Sequence, residues 1–559
     1  MRAAVGSMRL GRLGLCLVAA GAIGGGSALA GSKDAAKADP AAAGYEIFNR
    51  EWMPNDPRGH GGDGLGPAFN DSSCVACHNS GGSGGAGPVS KNIDILSASR
   101  NVNFMNNPVP QIAPPPAEPT AAFAAPAVAP GGACPPPSAD QLEPLFSLHP
   151  GFRTSKTVVL HKFGTDPGYD AFRSKLLGNG AAPGTIVNMG AISFVTVDSV
   201  NQAVVLPNEL GALINRTNGG PRPRNLEAQL NAAMSRMNEV RAAVAANRVG
   251  TGGTINVGPF NVSRSQRNPT PLFGLGLIDA IPETAIVAVA KQQAKETPEI
   301  AGRPARVKDG RIGRLGWKGQ TANSEDFVLN ACAVEVGLEV PGHSQAITPQ
   351  APRYKGPGLD LSADECASLV AYVRSIPRPV ERATTSAAEA RFLGAGKAAF
   401  ASVGCAGCHV AKLGEVEGLY SDLLVHEMGD EMADSGSYDG SEDGTDEPLV
   451  PLLAENGQPQ PQPKPGQPQE RKSAGKKEWR TPPLWGFRDS GPYLHDGRAQ
   501  TLEQAVALHG GQASGSAQKF FQLSPTERLQ VEAFLKSLVA PGQDAGKRQI
   551  ARAGDGAGI

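Results

Sequence analysis

Cys74-Val75-Ala76-Cys77-His78 and Cys405-Ala406-Gly407-Cys408-His409 decide how this chain of 559 residues is read. A Cys-x-x-Cys-His pentapeptide is the attachment signature of a c-type haem. Two thiols separated by two residues reach the porphyrin vinyl groups from one turn of chain, and the next histidine comes up under the iron as proximal ligand. The chain holds 8 Cys and 9 His. Chance would then give roughly two such matches per thousand sequences of this length, so a pair is not noise. The rival is a Cys₄ zinc knuckle built from the two Cys-x-x-Cys units. That site needs no histidine after either pair and normally brings its halves closer together. Two covalently bound haem c groups are expected, in a di-haem electron-transfer protein or enzyme.

The N-terminus fits that expectation. Arg2, Arg9 and Arg12 precede an apolar run over 13–23, and Ala28-Leu29-Ala30 is a small-x-small cleavage site before Gly31. Residues 1–30 read as a signal peptide, too short for a lasting membrane span. A periplasmic location follows, because bacterial c-type haem is attached after export. Cys16 would leave with the signal, and Leu13-Gly14-Leu15 before it is a poor lipidation context. No other stretch approaches 18 uninterrupted apolar residues, so no stable membrane insertion is expected. The length suggests two to four domains. A net charge of −1 gives no electrostatic reason to expect nucleic acid as a partner. With 70 Gly, 47 Pro and only 5 % aromatics, long irregular connections should surround compact cores, which the porphyrin itself would help to fill.

Residues 107–138 are Pro- and Ala-rich, and 429–477 run from acidic through Pro/Gln-rich to basic, which reads as an exposed insert. Apolar periodicity predicts helices around 44–48, 223–247, 284–295, 362–375, 387–402 and 523–538. Alternation over 156–164 and 185–206 predicts short strands. Two segments repeat a plan. Arg267-Asn268-Pro269-Thr270-Pro271-Leu272-Phe273-Gly274 is matched by Arg480-Thr481-Pro482-Pro483-Leu484-Trp485-Gly486, and Trp317-Lys318-Gly319-Gln320 by His495-Asp496-Gly497-Arg498. The fold class expected is mainly α, with two cytochrome c-like haem domains. The first, 31–380, carries a strand-containing insertion; the second spans 381–545, and 546–559 form a tail. Cys332 and Cys366 could form a disulfide in an oxidising compartment, or stay as buried thiols. Cys134 has no evident partner.

At these segments the chain resembles the bacterial di-haem cytochrome c peroxidase superfamily, and most closely its di-haem oxidoreductase branch, also labelled thiol oxidoreductases. The resemblance is carried by 62–78 (GDGLGPAFNDSSCVACH), 267–283, 310–320, 420–429 and, most specifically, 480–513. It implies a sixth iron ligand, a methionine in the peroxidases, fourteen residues after the histidine of the His-Asp-Gly step, here His495. That position holds His509, with His426 and Met428 as the other candidates, while His495 is expected to hydrogen-bond a propionate. The same offset from Trp317 falls on Ala331, which cannot bind iron, so the first haem is expected to be open. Trp317 matches the tryptophan that lies between the haems in the peroxidases, or else packs in the core. A Gly-x-Glu sequence after it implies Glu339 as distal acid, with Glu335 as the alternative. A resting-state distal histidine would have to come from His149, His161, His60 or His343. Asn268 and the carbonyls of Ser490 and Pro492 match the ligands of a Ca²⁺ ion in the superfamily.

The function expected is peroxidase-like. A small redox protein or quinol-linked donor would reduce the C-terminal haem, and the N-terminal haem would reduce peroxide or a related oxidant. Two alternatives stand beside it: a di-haem electron carrier without chemistry of its own, and an enzyme that oxidises a partner protein.

Overall fold

The computed structural model describes residues 39–100, 139–177, 186–189, 192–195, 226–246, 254–434, 436, 438 and 473–542. The signal segment, the Pro/Ala-rich stretch with Cys134, most of the acidic insert and the C-terminal tail lie outside them. Helices form the frame, and most begin where the sequence offers a cap. In chain order they are α1 (Pro40–Asn49), α2 (Cys74–Cys77), α3 (Ala139–Leu148), α4 (Tyr169–Leu176), α5 (Leu226–Ala246), α6 (Leu275–Asp279), α7 (Glu283–Glu296), α8 (Ser324–Glu335), α9 (Ala363–Ser375), α10 (Ala387–Ser402), α11 (Leu502–Ala507), α12 (Ser514–Gln522) and α13 (Pro525–Lys536). Ser362 with Glu365 and Ser524 with Glu527 close full capping boxes on α9 and α13.

Two crossings show the repeated plan in three dimensions. α1 precedes the first pentapeptide and packs on α9; α10 precedes the second and packs on α13. Each crossing is closed by a glycine. A Cβ on Gly44 would lie 1.9 Å from the Ser368 carbonyl, and one on Gly396 1.9 Å from that of Gln530. Only glycine lets the backbones approach so closely. The α1/α9 crossing joins α8 in one apolar core with Phe48, Leu369 and Tyr372. The α10/α13 crossing joins α12 in another with Phe400, Phe520 and Phe534.

The strand-containing insertion is a six-stranded antiparallel sheet. Its strands are β1 (Ile93–Arg100), β2 (Thr157–Leu160), β3 (Ile186–Met189), β4 (Ile192–Val195), β5 (Thr254–Val257) and β6 (Phe260–Arg267), in the spatial order β2-β1-β6-β5-β4-β3. Its core includes Leu145 and Leu148 of α3. Sequence alternation found β2 and the region of β3 and β4; residues 196–206 lie outside the described part. β1 was hidden because six consecutive residues are buried, which erases the two-residue alternation. A shorter pair, β7 (Val425–Glu427) and β8 (Glu478–Arg480), places His426 beside Trp479. Among the described residues no helix is long and apolar enough to cross a membrane. Cys332 and Cys366 are both buried and unbridged, the second of the two readings the sequence left open; α8 and α9 meet through apolar packing.

Candidate haem centres

The first pentapeptide is set by a capped turn. The Ser73 side chain accepts the Ala76 N–H at 3.3 Å, and the His78 N–H reaches the Cys74 carbonyl at 3.0 Å. His78 Nδ1 lies 3.1 Å from the Gly85 carbonyl. That contact fixes the tautomer with Nδ1 protonated and leaves Nε2 for a metal. Burial lowers the imidazole to about 4, so it stays neutral, the form that binds iron. The second pentapeptide repeats this. Its His409 N–H bonds the Cys405 carbonyl at 2.9 Å, and Nδ1 lies 2.9 Å from the Tyr420 carbonyl. Burial again lowers His409 to about 4. Tyr420 reaches this carbonyl position with a left-handed φ of 51°, unusual for a residue with a Cβ.

Each pentapeptide borders a cavity. The first is lined by Cys74, Cys77 and His78 together with Phe327, Ala331 and Glu335 from one face of α8, and its empty space of about 830 Å³ includes open solvent. The second, about 1600 Å³ of empty space that likewise includes open solvent, is lined by Cys405, Cys408 and His409 and by His426, His495 and His509. Trp317, Asn268 and Pro269 line both. Trp317 Nε1 donates to the Asn268 carbonyl at 2.9 Å. The repeated motifs brace each other across this wall. The Asn268 N–H reaches the His495 carbonyl at 2.7 Å, and the Arg480 N–H reaches that of Trp317 at 3.0 Å.

The histidines of the second cavity are not equivalent. His509 Nδ1 lies 2.7 Å from the Ala505 carbonyl, which leaves Nε2 free, and burial lowers its pKa. His426 is committed at both nitrogens, with Nε2 2.9 Å from Asp422 Oδ2 and Nδ1 3.7 Å from Cys408 Sγ. Burial opposes its charge, but the Asp422 hydrogen bond and the Cys408 sulfur prevail and lift it to about 10. Its Nε2 is engaged by Asp422, whereas that of His509 has no such contact among the described residues. His495 stacks on Trp479 at 3.8 Å and reaches Asp434 with Nε2 at 3.2 Å, while among the described residues its buried Nδ1 meets no partner. Met428 also lines this cavity, as does Met432, which sequence reading had not singled out.

The first cavity separates the two candidate acids. Glu335 lines it, and Glu339 lines neither cavity. α8 ends at Glu335, and Gly337, with a left-handed φ of 71°, turns the chain away. Glu339 therefore falls beyond the helix, where it accepts the Gln345 N–H at 2.9 Å. Glu335 accepts Asn70 Nδ2 at 2.8 Å, and Tyr438 sits beside it as a further donor. Burial raises its pKa, and Tyr438, Asn70 and Lys162 only partly offset this. The same lining includes Tyr438, whose phenol burial and then Glu335 push far up.

Tyr438 was missed because 429–477 reads as a solvated insert. The start of that segment is instead clamped inside. Asp434 binds Arg267 through both nitrogens at 2.8 and 3.0 Å and is held well below the usual carboxylate range, burial being outweighed by Arg267 and His495. No candidate distal histidine lines the first cavity. His161 Nε2 bonds the Val334 carbonyl at 2.8 Å, His149 Nδ1 accepts the Gly151 N–H, His60 pairs with Glu365, and the His343 N–H bonds the Val340 carbonyl. Asn268 Nδ2 donates to the Gly87 carbonyl and Asn92 Oδ1, each at 2.9 Å, and Ser490 and Pro492 share the second cavity's wall with it.

The residues fit haem better than zinc. The only ligating cluster of Cys, His, Asp and Glu among the described residues is Cys408, Asp422 and His426, which omits Cys405 and His409. Arg480 is buried in the second cavity, and burial lowers its pKa to about 10. Among the described residues its side chain reaches the carbonyls of Gly316 and Thr481, a cation placed to meet an anion such as a propionate.

A helix-rich chain with two such cavities defines the class, and comparison agrees. The family described as "Di-haem oxidoreductase, putative peroxidase" matches residues 254–460 and 466–538, half of the chain. The chain belongs to this family, and haem and a redox role come with it. No curated protein matches the sequence. Among solved structures it is similar to the hydrazine synthase of Kuenenia stuttgartiensis, at 17 % identity over 49 % of this chain and 73 % of that one, with a TM-score of 0.25. It is also similar to a MauG-like protein associated with microbial copper homeostasis, at 17 % identity over 48 % and 91 %, with a TM-score of 0.22. Both likenesses are too loose to define the fold.

Proposed function

We propose that the chain is an exported di-haem c oxidoreductase that reduces peroxide or a related oxidant, with electrons entering at the C-terminal site and chemistry at the N-terminal one. The observation that carries this is the asymmetry of the two cavities around one shared tryptophan. The second offers His409 and His509; the first offers His78 and, among its described lining residues, no second histidine and no methionine. The two sites would belong to cytochrome c-like domains over 31–380 and 381–545.

Bound haem would supply the one-electron redox chemistry at both sites. Cys74 and Cys77, and Cys405 and Cys408, would hold the porphyrins as thioethers, and His78 and His409 would ligate through Nε2. His509 closes the second site. Arg480 and the Nδ1 of His495 would take propionate oxygens there. Trp317, bordering both cavities, is the electron bridge. At the first site Glu335 takes a proton from the inner oxygen of peroxide and returns it to the outer one, as general base and then acid. Asn70 orients that carboxylate, and Tyr438 biases its ionisation. Asn268 with the carbonyls of Ser490 and Pro492 would hold Ca²⁺, which favours oxygen ligands. The donor is a small redox protein or a quinol-linked carrier.

The test is turnover. Purified, haem-loaded protein supplied with a reduced small electron donor should consume H₂O₂ catalytically. Two haems per chain without turnover on peroxide or organic hydroperoxides would remove the peroxidase reading.

A further inference from the structure

α5 lies outside the residues that match the family, yet it packs against α11, the helix that ends two residues before His509. Ala233, Met237 and Val244 form its buried stripe at helical spacing. The first two join a core with Leu502, Ala507 and Phe520, and Val244 meets Leu508. Arg241 Nε donates to the Ala507 carbonyl at 2.6 Å, and Arg236 Nη2 reaches Glu503 at 3.0 Å on the exposed side. Ala507 is the last residue of α11, two positions before His509.

This support has a physical reason. α11 has six residues, too few to hold a helical end by itself, and Gly510-Gly511 follow His509 at once. The terminal carbonyls carry the negative end of the helix and need donors. Ala505 already takes the His509 ring, so the ring's direction depends on where this last turn is held. Arg241 supplies the donor and the positive charge from outside.

We propose that α5, through Arg241, is a positioning device for His509, fixing the end of α11 so that Nε2 is presented to the second cavity. The proposal rests on His509 being the ligand that closes that site. The experiment uses full-length, di-haem ferric protein and reads cyanide association at the second haem together with its low-spin signal. His509→Ala should admit cyanide fast. Arg241→Met keeps the stem and removes the donor, and should raise the association rate about tenfold, the worth of one charge-assisted hydrogen bond. Arg241→Lys should restore slow binding, and Arg236→Ala, on the exposed side, should bind as slowly as wild type. Slow binding in Arg241→Met beside fast binding in His509→Ala would overturn the proposal. Equal effects of Arg236→Ala and Arg241→Met would overturn the role of Arg241. A silent His509→Ala would instead remove the ligand reading on which all of this rests. If Arg241→Met fails to fold, Arg241→Gln serves in its place, with the same expected rise and the same refuting result.

Discussion

Glu335→Gln is the sharpest probe of the first cavity. The change keeps side-chain volume and leaves an amide oxygen for Asn70 Nδ2, which now sits 2.8 Å from Oε2. It removes only the ionisable group. General acid–base assistance of this kind is worth about 10²–10⁴-fold in rate, so kcat/KM for peroxide should fall by that factor while haem content is unchanged. The pH profile carries a second signature. Burial raises the Glu335 pKa, and the base must be ionised to take the peroxide proton. Wild-type activity should therefore fall on acidification at a pH where an ordinary glutamate, near 4.3, would still be ionised. The variant should lose that limb. Steady-state peroxide consumption from pH 4 to 8 measures both, with Glu339→Gln as the control at near wild-type rate. Normal turnover in Glu335→Gln, or an equal loss in Glu339→Gln, would refute the assignment.

Trp317→Phe deletes the 2.9 Å bond to the Asn268 carbonyl and should cost about 1 kcal/mol of stability. Stopped-flow reoxidation should show slower electron transfer between the haems, and an unchanged rate would clear Trp317 of the bridge role. Asp360, fully buried, accepts the N–H groups of Gly64 at 2.6 Å and Glu339 at 2.7 Å, and burial raises its pKa to about 6. The folded chain thus keeps a proton that the unfolded chain has lost by about pH 4. The Asp360 contribution to stability should fall by up to ~3 kcal/mol as pH rises from about 4 through 6, against the rise that the neutral buried histidines give over the same range, so Asp360→Asn should gain stability with pH more steeply than wild type in urea unfolding. The same pH dependence in both proteins would refute it. Gly44→Ala forces a Cβ against the Ser368 carbonyl; overpacking of about 1–3 kcal/mol should outweigh the helix propensity gained and lower Tm. An unchanged Tm would mean the α1/α9 crossing is looser than drawn.

What could be read from the sequence was whatever local chemistry encodes. The pentapeptides, the capped helices and the duplicated turns each carry their signal within a few residues, and all appear where expected. His509 was reached by a fixed offset from His495, and it lines the second cavity. Glu339 was preferred to Glu335 because counting residues ignores where a helix stops. Phe327, Ala331 and Glu335 share one face of α8, and Gly337 ends it; read together, those cues would have chosen Glu335. Asp434 and Tyr438 carried no local sign of burial, since the groups that enclose them, Arg267 and Glu335, lie more than a hundred residues away. The different settings of His426 and His509 likewise emerge only with Asp422 in space.

Electron paramagnetic resonance of the ferric, di-haem protein tests the unequal pair most directly. One site with a second histidine and one without should give one low-spin and one high-spin signal. Two low-spin signals in every redox state would contradict it.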